Sequence, residues 1–168
     1  MKKPPKSKKK GTFIAIAIGT VIIGLVIAFS YYIDQANISG QRFGENLAQV
    51  QEDLKKNVSD YESKLALYQK GNMTMQQILE ISDNHLAELE KILSRYGSLK
   101  PPQPFVASLE LFKRSTQTQL ESDKLLKQWI EAGDKSVKIR SDQLLQQSFE
   151  YESNALASFE RAKKGIIS

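Results

Sequence analysis

Hydrophobic residues recur at intervals of three and four along most of the chain, the spacing of one face of an α-helix. After residue 44 this pattern predicts four amphipathic helices, and no segment alternates as a strand does. The helices are expected at about 45–70, 74–96, 104–132 and 135–164. Glycines and a proline-rich segment separate them. Four helices of similar length with short connections favour an all-α, up-down four-helix bundle.

The boundary between the third and fourth helices allows an alternative. It consists of Gly133 and Asp134, and a single glycine costs a helix only about 1 kcal/mol. The two segments could therefore form one rod. The chain would then be a long helical hairpin or coiled coil whose apolar stripe needs a partner.

A different hydrophobic pattern precedes the helices. Residues 11–33 carry no charge, and as a helix they would be about 34 Å long, against roughly 30 Å of hydrocarbon in a bilayer. Before them stand six lysines: Lys2, Lys3, Lys6, Lys8, Lys9 and Lys10. These lysines are expected to keep the N-terminus in the cytoplasm and to contact anionic lipid headgroups.

The pattern therefore predicts four regions and a topology. They are a basic cytoplasmic tail (1–11), a single transmembrane signal anchor (12–33), a linker (34–44) and an extracytoplasmic helical domain (45–164). The expected location is the cell membrane, with the domain outside the cell.

Two forms of processing are alternatives to a retained anchor. Ala28 and Ser30 have the small-residue spacing that signal peptidase reads, although the apolar run before them is longer than in most signal peptides. The Lys10-Gly11 pair before the apolar helix resembles a prepilin-type processing site. That resemblance implies cleavage after Gly11 and packing of the apolar helix into a filament. Ile16 stands where bacterial type IV pilins carry a glutamate.

Small residues lie on two faces of the predicted membrane helix. One face carries Thr20, Gly24 and Ala28, and the other carries Ala15 and Gly19. Small side chains let membrane helices approach closely, so these faces predict packing against a membrane partner or a second copy.

Charge and composition exclude several functions. The net charge of +5 comes from the N-terminal lysines, because the chain after residue 10 carries 18 basic and 19 acidic residues. Such a body lacks the basic face that nucleic acids require. The chain has no cysteine, which excludes disulfides and most zinc sites.

Catalytic chemistry is sparse as well. His85 is the only histidine, which excludes a ferritin-like di-iron site. It lies on an apolar stripe, so we expect it to be buried and bonded to a neighbour rather than catalytic. No phosphate-binding or calcium-binding loop occurs. We therefore expect no enzyme activity, cofactor or metal.

Polar residues interrupt the stripes of the last two helices at Thr116, Ser148 and Ser158. They indicate either a hydrophilic pocket for a small ligand or close helix packing at small side chains, and we favour close packing.

Asn37, Asn57 and Asn72 begin N-glycosylation sequons, which supports an external location for a glycoprotein. A strict heptad would bury Asn57. A 3.6-residue period buries Val58 instead and leaves Asn57 outside, so a glycan on Asn57 would decide between the two.

These features together predict a membrane-anchored interaction or scaffold protein, an accessory subunit of a cell-envelope complex. Its partners would be the lipid bilayer and a membrane or envelope protein, or a second copy of itself. In architecture the chain resembles the extracytoplasmic four-helix-bundle domains of chemoreceptors and sensor kinases. That resemblance implies the first alternative, a ligand-sensing or transport-accessory domain. A pilin-like filament subunit is the second.

Overall fold

The computed structural model describes residues 38–167, which form four α-helices and no strand. The helices are α1 (Ile38–Gln69), α2 (Met75–Arg95), α3 (Val106–Ala132) and α4 (Lys135–Ile167). Two short 3₁₀ turns, Tyr96–Ser98 and Gln103–Phe105, lie between α2 and α3. The all-α prediction is confirmed. The tail, the membrane span with its small-residue faces, the processing sites at Gly11 and Ser30, and Asn37 lie outside the described residues.

α1 begins seven residues earlier than the sequence pattern predicts, within the expected linker. The reason is the burial of Phe43, which is 2% exposed and packs 5.7 Å from the ring of Phe105. Burying a phenylalanine contributes about 1.5–3 kcal/mol, whereas a glycine such as Gly40 or Gly44 costs a helix about 1 kcal/mol. Packing outweighs the glycines, and the helix extends through them.

The ends of the helices follow local sequence signals. Gly71 and Gly133 have φ angles of 77° and 71°, a left-handed conformation that glycine adopts without strain, and each follows a helix end. Thr74 begins α2 with a capping box, in which its hydroxyl accepts from the Gln77 amide and its own amide donates to Gln77 Oε1. Because α3 and α4 are separate helices packed on each other, the single-rod alternative is wrong.

Contacts between helices show that each runs antiparallel to the one before it. Tyr96, directly after α2, contacts Thr116, and His85 on α2 contacts Asp123. The residue number therefore rises on α3 as it falls on α2. The same holds between α1 and α2, where Asn57 contacts His85 and Gln51 contacts Tyr96. The helices therefore alternate up and down.

The buried positions repeat with a strict heptad. In α2 and the turn after it they are separated alternately by four and three residues: Ile78, Ser82, His85, Leu89, Ile92 and Tyr96. In α3 and the turn before it the same spacing holds: Phe105, Leu109, Phe112, Thr116, Gln119, Asp123, Leu126 and Ile130. This period of 3.5 is typical of helices that coil around each other with knobs-into-holes packing.

The apolar core consists of two clusters, one towards each end of the bundle. The first, which we call the base cluster, has members from all four helices: Phe43, Leu47, Val50, Ile92, Tyr96, Phe105, Leu109, Phe112, Ala155 and Phe159. The second, the tip cluster, is formed by Tyr61, Ile78, Leu126 and Ile130. Polar side chains fill the middle of the bundle between them.

α3 and α4 approach each other more closely than the other helices do. Small residues at seven-residue intervals face each other across this contact, which we call the serine seam: Ser108, Ser115 and Ser122 on α3, and Ser141, Ser148 and Ala155 on α4. Small side chains reduce the distance between helix axes. The hydroxyls of Ser115, Ser122 and Ser141 then donate to backbone carbonyl oxygens of the facing helix.

None of the four described helices has both the length and the apolar character that a membrane span needs.

Candidate functional site

The polar middle of the bundle is the most distinctive chemical feature of the described residues. Its buried polar side chains come mostly from α2 and α3. Five of them occupy heptad positions that are apolar elsewhere: Ser82, His85, Thr116, Gln119 and Asp123. Ser115 and Ser122 belong to the serine seam, and Thr118 is buried as well. In the described part of the chain, no fully buried side-chain nitrogen or oxygen lacks a hydrogen-bond partner. Most of these polar groups bond to other side chains or to backbone carbonyl oxygens of the bundle.

His85 stands at the centre of this region. It is 5% exposed, and its Nε2 lies 3.0 Å from Asp123 Oδ2 on α3. Its Nδ1 contacts Asn57 Oδ1 on α1, and the Asn57 Nδ2 donates to the backbone oxygen of His85 at 3.5 Å. One imidazole thus joins three helices. The prediction of a buried histidine bonded to its neighbours is confirmed.

Tyr61 covers one face of the imidazole. The two rings are stacked, with centroids 4.0 Å apart and planes 10° from parallel. Because the Ser82 hydroxyl donates to the Ile78 carbonyl at 2.7 Å, the Tyr61 hydroxyl, 3.0 Å from Ser82 Oγ, is the donor in that pair. Burial raises the pKa of Tyr61 to about 12, so the phenol stays protonated.

Burial also dominates the electrostatics of the carboxyl groups in this region. It raises the pKa of Asp123, and the adjacent His85 partly opposes that rise. Glu62 is exposed as a residue, yet its pKa is raised by partial desolvation and then by the charge of Asp123. Burial raises the pKa of the half-buried Glu152 on α4 as well. All three carboxyls hold their protons to a higher pH than exposed ones do.

A second hydrogen-bond chain lies nearer the base cluster. Gln51 Nε2 donates to the Tyr96 hydroxyl at 2.7 Å, and that hydroxyl lies 2.9 Å from Thr116 Oγ1. Thr116 in turn donates to the Phe112 carbonyl at 3.2 Å. The pKa of Tyr96 is raised to about 12 by burial. This hydrogen-bond chain connects α1, α2 and α3, as the contacts of His85 do.

The serine seam accounts for one of the polar interruptions in the sequence. Ser122 Oγ donates to the Ser141 carbonyl at 2.8 Å, and Ser141 Oγ donates to the Ser122 carbonyl at 2.9 Å. One heptad away, Ser115 Oγ donates to the Ser148 carbonyl at 2.8 Å. Close packing at small side chains is confirmed for Ser148. Ser158 is half-buried.

The polar middle is poorly arranged for catalysis. The imidazole is buried, with Tyr61 stacked on one face and its two nitrogens against Asn57 and Asp123. The nearest hydroxyl on α2, Ser82 Oγ, is already bonded to Tyr61 and Ile78. Within residues 38–167 no three His, Asp or Glu side chains lie close enough to hold a metal ion. The arrangement suits helix registration better than chemistry.

The outer face of α4 differs from the other surfaces. A shallow depression there is lined by Arg140, Gln143, Leu144, Gln146, Gln147 and Glu150. Ile139, beside it, is 59% exposed. On the outer side of α2 and α3, by contrast, Lys124 pairs with Glu90 at 2.7 Å and Lys127 with Asp83 at 2.6 Å.

The described glycosylation sequons lie in two different environments. Asn72 is exposed in the turn after Gly71, where a glycan has room. Asn57 is half-buried and contacts His85, so of the two candidate periods the strict heptad describes its position. A glycan on Asn57 Nδ2 would displace its contact with the His85 carbonyl. The strict heptad from Leu54 to Tyr61 was the signal that could have identified this position.

No known family model, curated protein or solved structure matches the chain.

Proposed function

We propose that this chain is a membrane-anchored helical interaction protein whose bundle lies outside the cell, where it serves as a scaffold or accessory subunit of an envelope complex. The observation that carries the proposal is the charge-free segment 11–33, which follows six lysines and directly precedes a helical domain. A span of that length with that flanking charge is a signal anchor with its N-terminus inside.

The polar middle of the bundle favours an interaction role over a sensing role. A ligand pocket needs polar groups that point at the ligand and are free to bind it. Here Ser82, His85, Thr116 and Asp123 already bond to other groups of the bundle. A ligand entering the middle would have to break contacts such as the one between His85 and Asp123. Binding on the outside of the bundle needs no such loss.

The outer face of α4 is the surface best suited to a protein partner. Interface centres are depleted of charge and contain apolar groups. Ile139 and Leu144 supply apolar area there, Gln143, Gln146 and Gln147 are uncharged, and the two charged residues that also line the depression, Arg140 and Glu150, are of opposite sign. On α2 and α3 a partner would meet charges that already pair with each other.

The test of topology uses the absence of cysteine from the chain. Two single-cysteine variants, Ser7→Cys in the tail and Gln76→Cys at the exposed start of α2, are treated on intact cells with a membrane-impermeant maleimide. We expect labelling of Gln76→Cys, and labelling of Ser7→Cys only after permeabilisation. Equal protection of both sites would contradict an external bundle.

The N-terminal peptide of the mature protein separates an anchor from its alternatives. We expect a start at Met1 or Lys2 in the membrane fraction by mass spectrometry. A start at Tyr31 in the soluble fraction would indicate a secreted bundle, and a start at Thr12 a pilin-like subunit.

The partner-facing surface is tested by a photo-crosslinking amino acid at Gln147 on α4. The matched control carries it at Asn84, an exposed residue of α2. Adducts from Gln147 and none from Asn84 are expected. Adducts from neither site would argue against an interaction through α4.

A further inference from the structure

A row of exposed polar residues runs along the outer face of α4. Arg140, Gln143, Gln147 and Glu150 are separated by three, four and three residues, and all four are exposed. Residues with this heptad spacing lie in line on one side of a helix, where a second helix can pack. We call this row the glutamine seam. All four of its residues line the depression on α4.

The two charges of the glutamine seam are unpaired within one copy. In the described part of the chain, neither Arg140 nor Glu150 contacts an opposite charge, whereas the nearby Lys138 pairs with Asp142. On the outer side of α2 and α3 the lysines likewise have partners in the same copy. The glutamine seam therefore offers charges that a partner can satisfy.

The order of the side chains makes this row its own complement. Along the chain it is a cation, two amides and an anion. If a second α4 lies antiparallel on this face, centred at Leu145, then Arg140 of each copy meets Glu150 of the other and Gln143 of each meets Gln147. A two-fold interface has this form, because residue i contacts residue j and j contacts i. A parallel pair in register would instead bring like charges together.

The layout of the row also suits an interface. The charges lie at its two ends, where a rim is polar, and the amides, which both donate and accept hydrogen bonds, lie at its centre. Leu144 flanks the row beside the centre. In the antiparallel pair the Leu144 side chains of the two copies lie on the same side of the interface, where they can contact each other.

We propose that the glutamine seam is a self-association surface, on which a second copy of this chain binds antiparallel with Arg140 of each copy paired to Glu150 of the other. The inference rests on the proposed function, in which the outer face of α4 binds a partner, and it names that partner as a second copy.

The register decides how two anchored copies can meet. α1 begins at the base end of the bundle and α4 begins at the tip, so Leu145 lies in the tip half of α4. In the antiparallel pair the tip halves overlap, and the two base ends point in opposite directions. With the anchor proposed above, upright copies on two facing membranes can pair in this way, whereas upright copies in one membrane cannot.

Charge reversal tests the pairing, because it predicts both a loss and a rescue. In Arg140→Glu the four end charges of a dimer are all negative, and in Glu150→Arg they are all positive. Each variant alone should self-associate about tenfold or more weakly than the wild type. In an equimolar mixture of the two variants every negative end faces a positive one, so heterodimers should form with the wild-type affinity.

Sedimentation equilibrium of the full chain in density-matched detergent micelles measures these affinities. Each copy carries its own detergent, so the antiparallel pair is free to form. The control, Glu80→Arg, reverses an exposed charge on α2 and should leave self-association unchanged. Because Arg140 and Glu150 are exposed, the melting temperature of both variants should stay at the wild-type value.

Three results would overturn the proposal. The first is a wild-type chain that stays monomeric. The second is a dimer that both single variants retain, because it would form elsewhere, for example through the membrane span. The third is a mixture of variants that does not restore the dimer. In the photo-crosslinking experiment, adducts of Gln147 with another protein and none with a second copy would likewise contradict self-association, while leaving the proposed function intact.

Discussion

Two helix contacts in the bundle have the same heptad spacing but different side chains. One is the contact between α3 and α4, and the other is the contact of α2 with α1 and α3. The serine seam places Ser115, Ser122, Ser141 and Ser148 between its helices, and their backbones come close. Between α2 and its neighbours α1 and α3 lie large side chains such as Tyr96, and the polar groups there bond to other side chains.

The difference shows that periodicity fixes which face a helix buries, while side-chain size fixes how near its neighbour lies. It also shows two ways of satisfying buried polar groups. A serine hydroxyl between close helices reaches the partner's backbone, as Ser122 reaches the Ser141 carbonyl at 2.8 Å. Between more distant helices, a long polar side chain such as His85 must meet another side chain.

The largest effect should come from removing a large side chain from the base cluster. Phe112 is 2% exposed, and Phe112→Ala should lower the free energy of unfolding by about 3–5 kcal/mol, because it removes apolar burial and leaves a cavity. Urea unfolding of the full chain in detergent, followed by circular dichroism, measures this. A loss below about 1 kcal/mol would mean that the cluster collapses to fill the space.

The serine seam, in contrast, should lose stability when one of its small side chains is replaced by a larger one. Ser122→Leu forces extra carbon atoms between close backbones and removes the hydrogen bond from the Ser122 hydroxyl to the Ser141 carbonyl, so we expect a loss of about 1–3 kcal/mol in the same experiment. Ser122→Ala fits the space and should cost only about 1 kcal/mol. Gln117→Leu, on the exposed side of α3, is the control and should change little. Equal stability of the Leu and Ala variants would show that the seam is not tightly packed.

The smallest effect should come from the turn that closes the serine seam. Gly133 has a φ of 71°, and a Cβ there would meet no atom within 4 Å, so Gly133→Ala adds only backbone strain of about 1 kcal/mol. Gly97→Ala is the matched control, because Gly97 has equal space and no positive φ. A melting temperature lowered equally by both changes would contradict strain as the cause.

The candidate site was partly foreseeable. An apolar stripe that contains the only histidine predicts its burial, and the structure confirms it. Its partners, Asp123 and Asn57, lie 38 and 28 residues away in the chain, and no local pattern identifies such pairs. The position of Asn57 stayed open because the two candidate periods differ by a fraction of a residue per turn and become distinct only over several turns.

The sequence by itself determined the all-α class, the glycine-marked helix ends and the apolar stripe of each helix, because these depend on backbone preferences and periodicity within one segment. It also contains the lysine-flanked apolar stretch on which the proposed membrane anchor rests. Only the tertiary structure decided where α1 begins, how closely α3 and α4 pack, and which side chains meet His85. Those features arise from contacts between residues distant in sequence. Their energies of a few kcal/mol exceed the local preferences that oppose them.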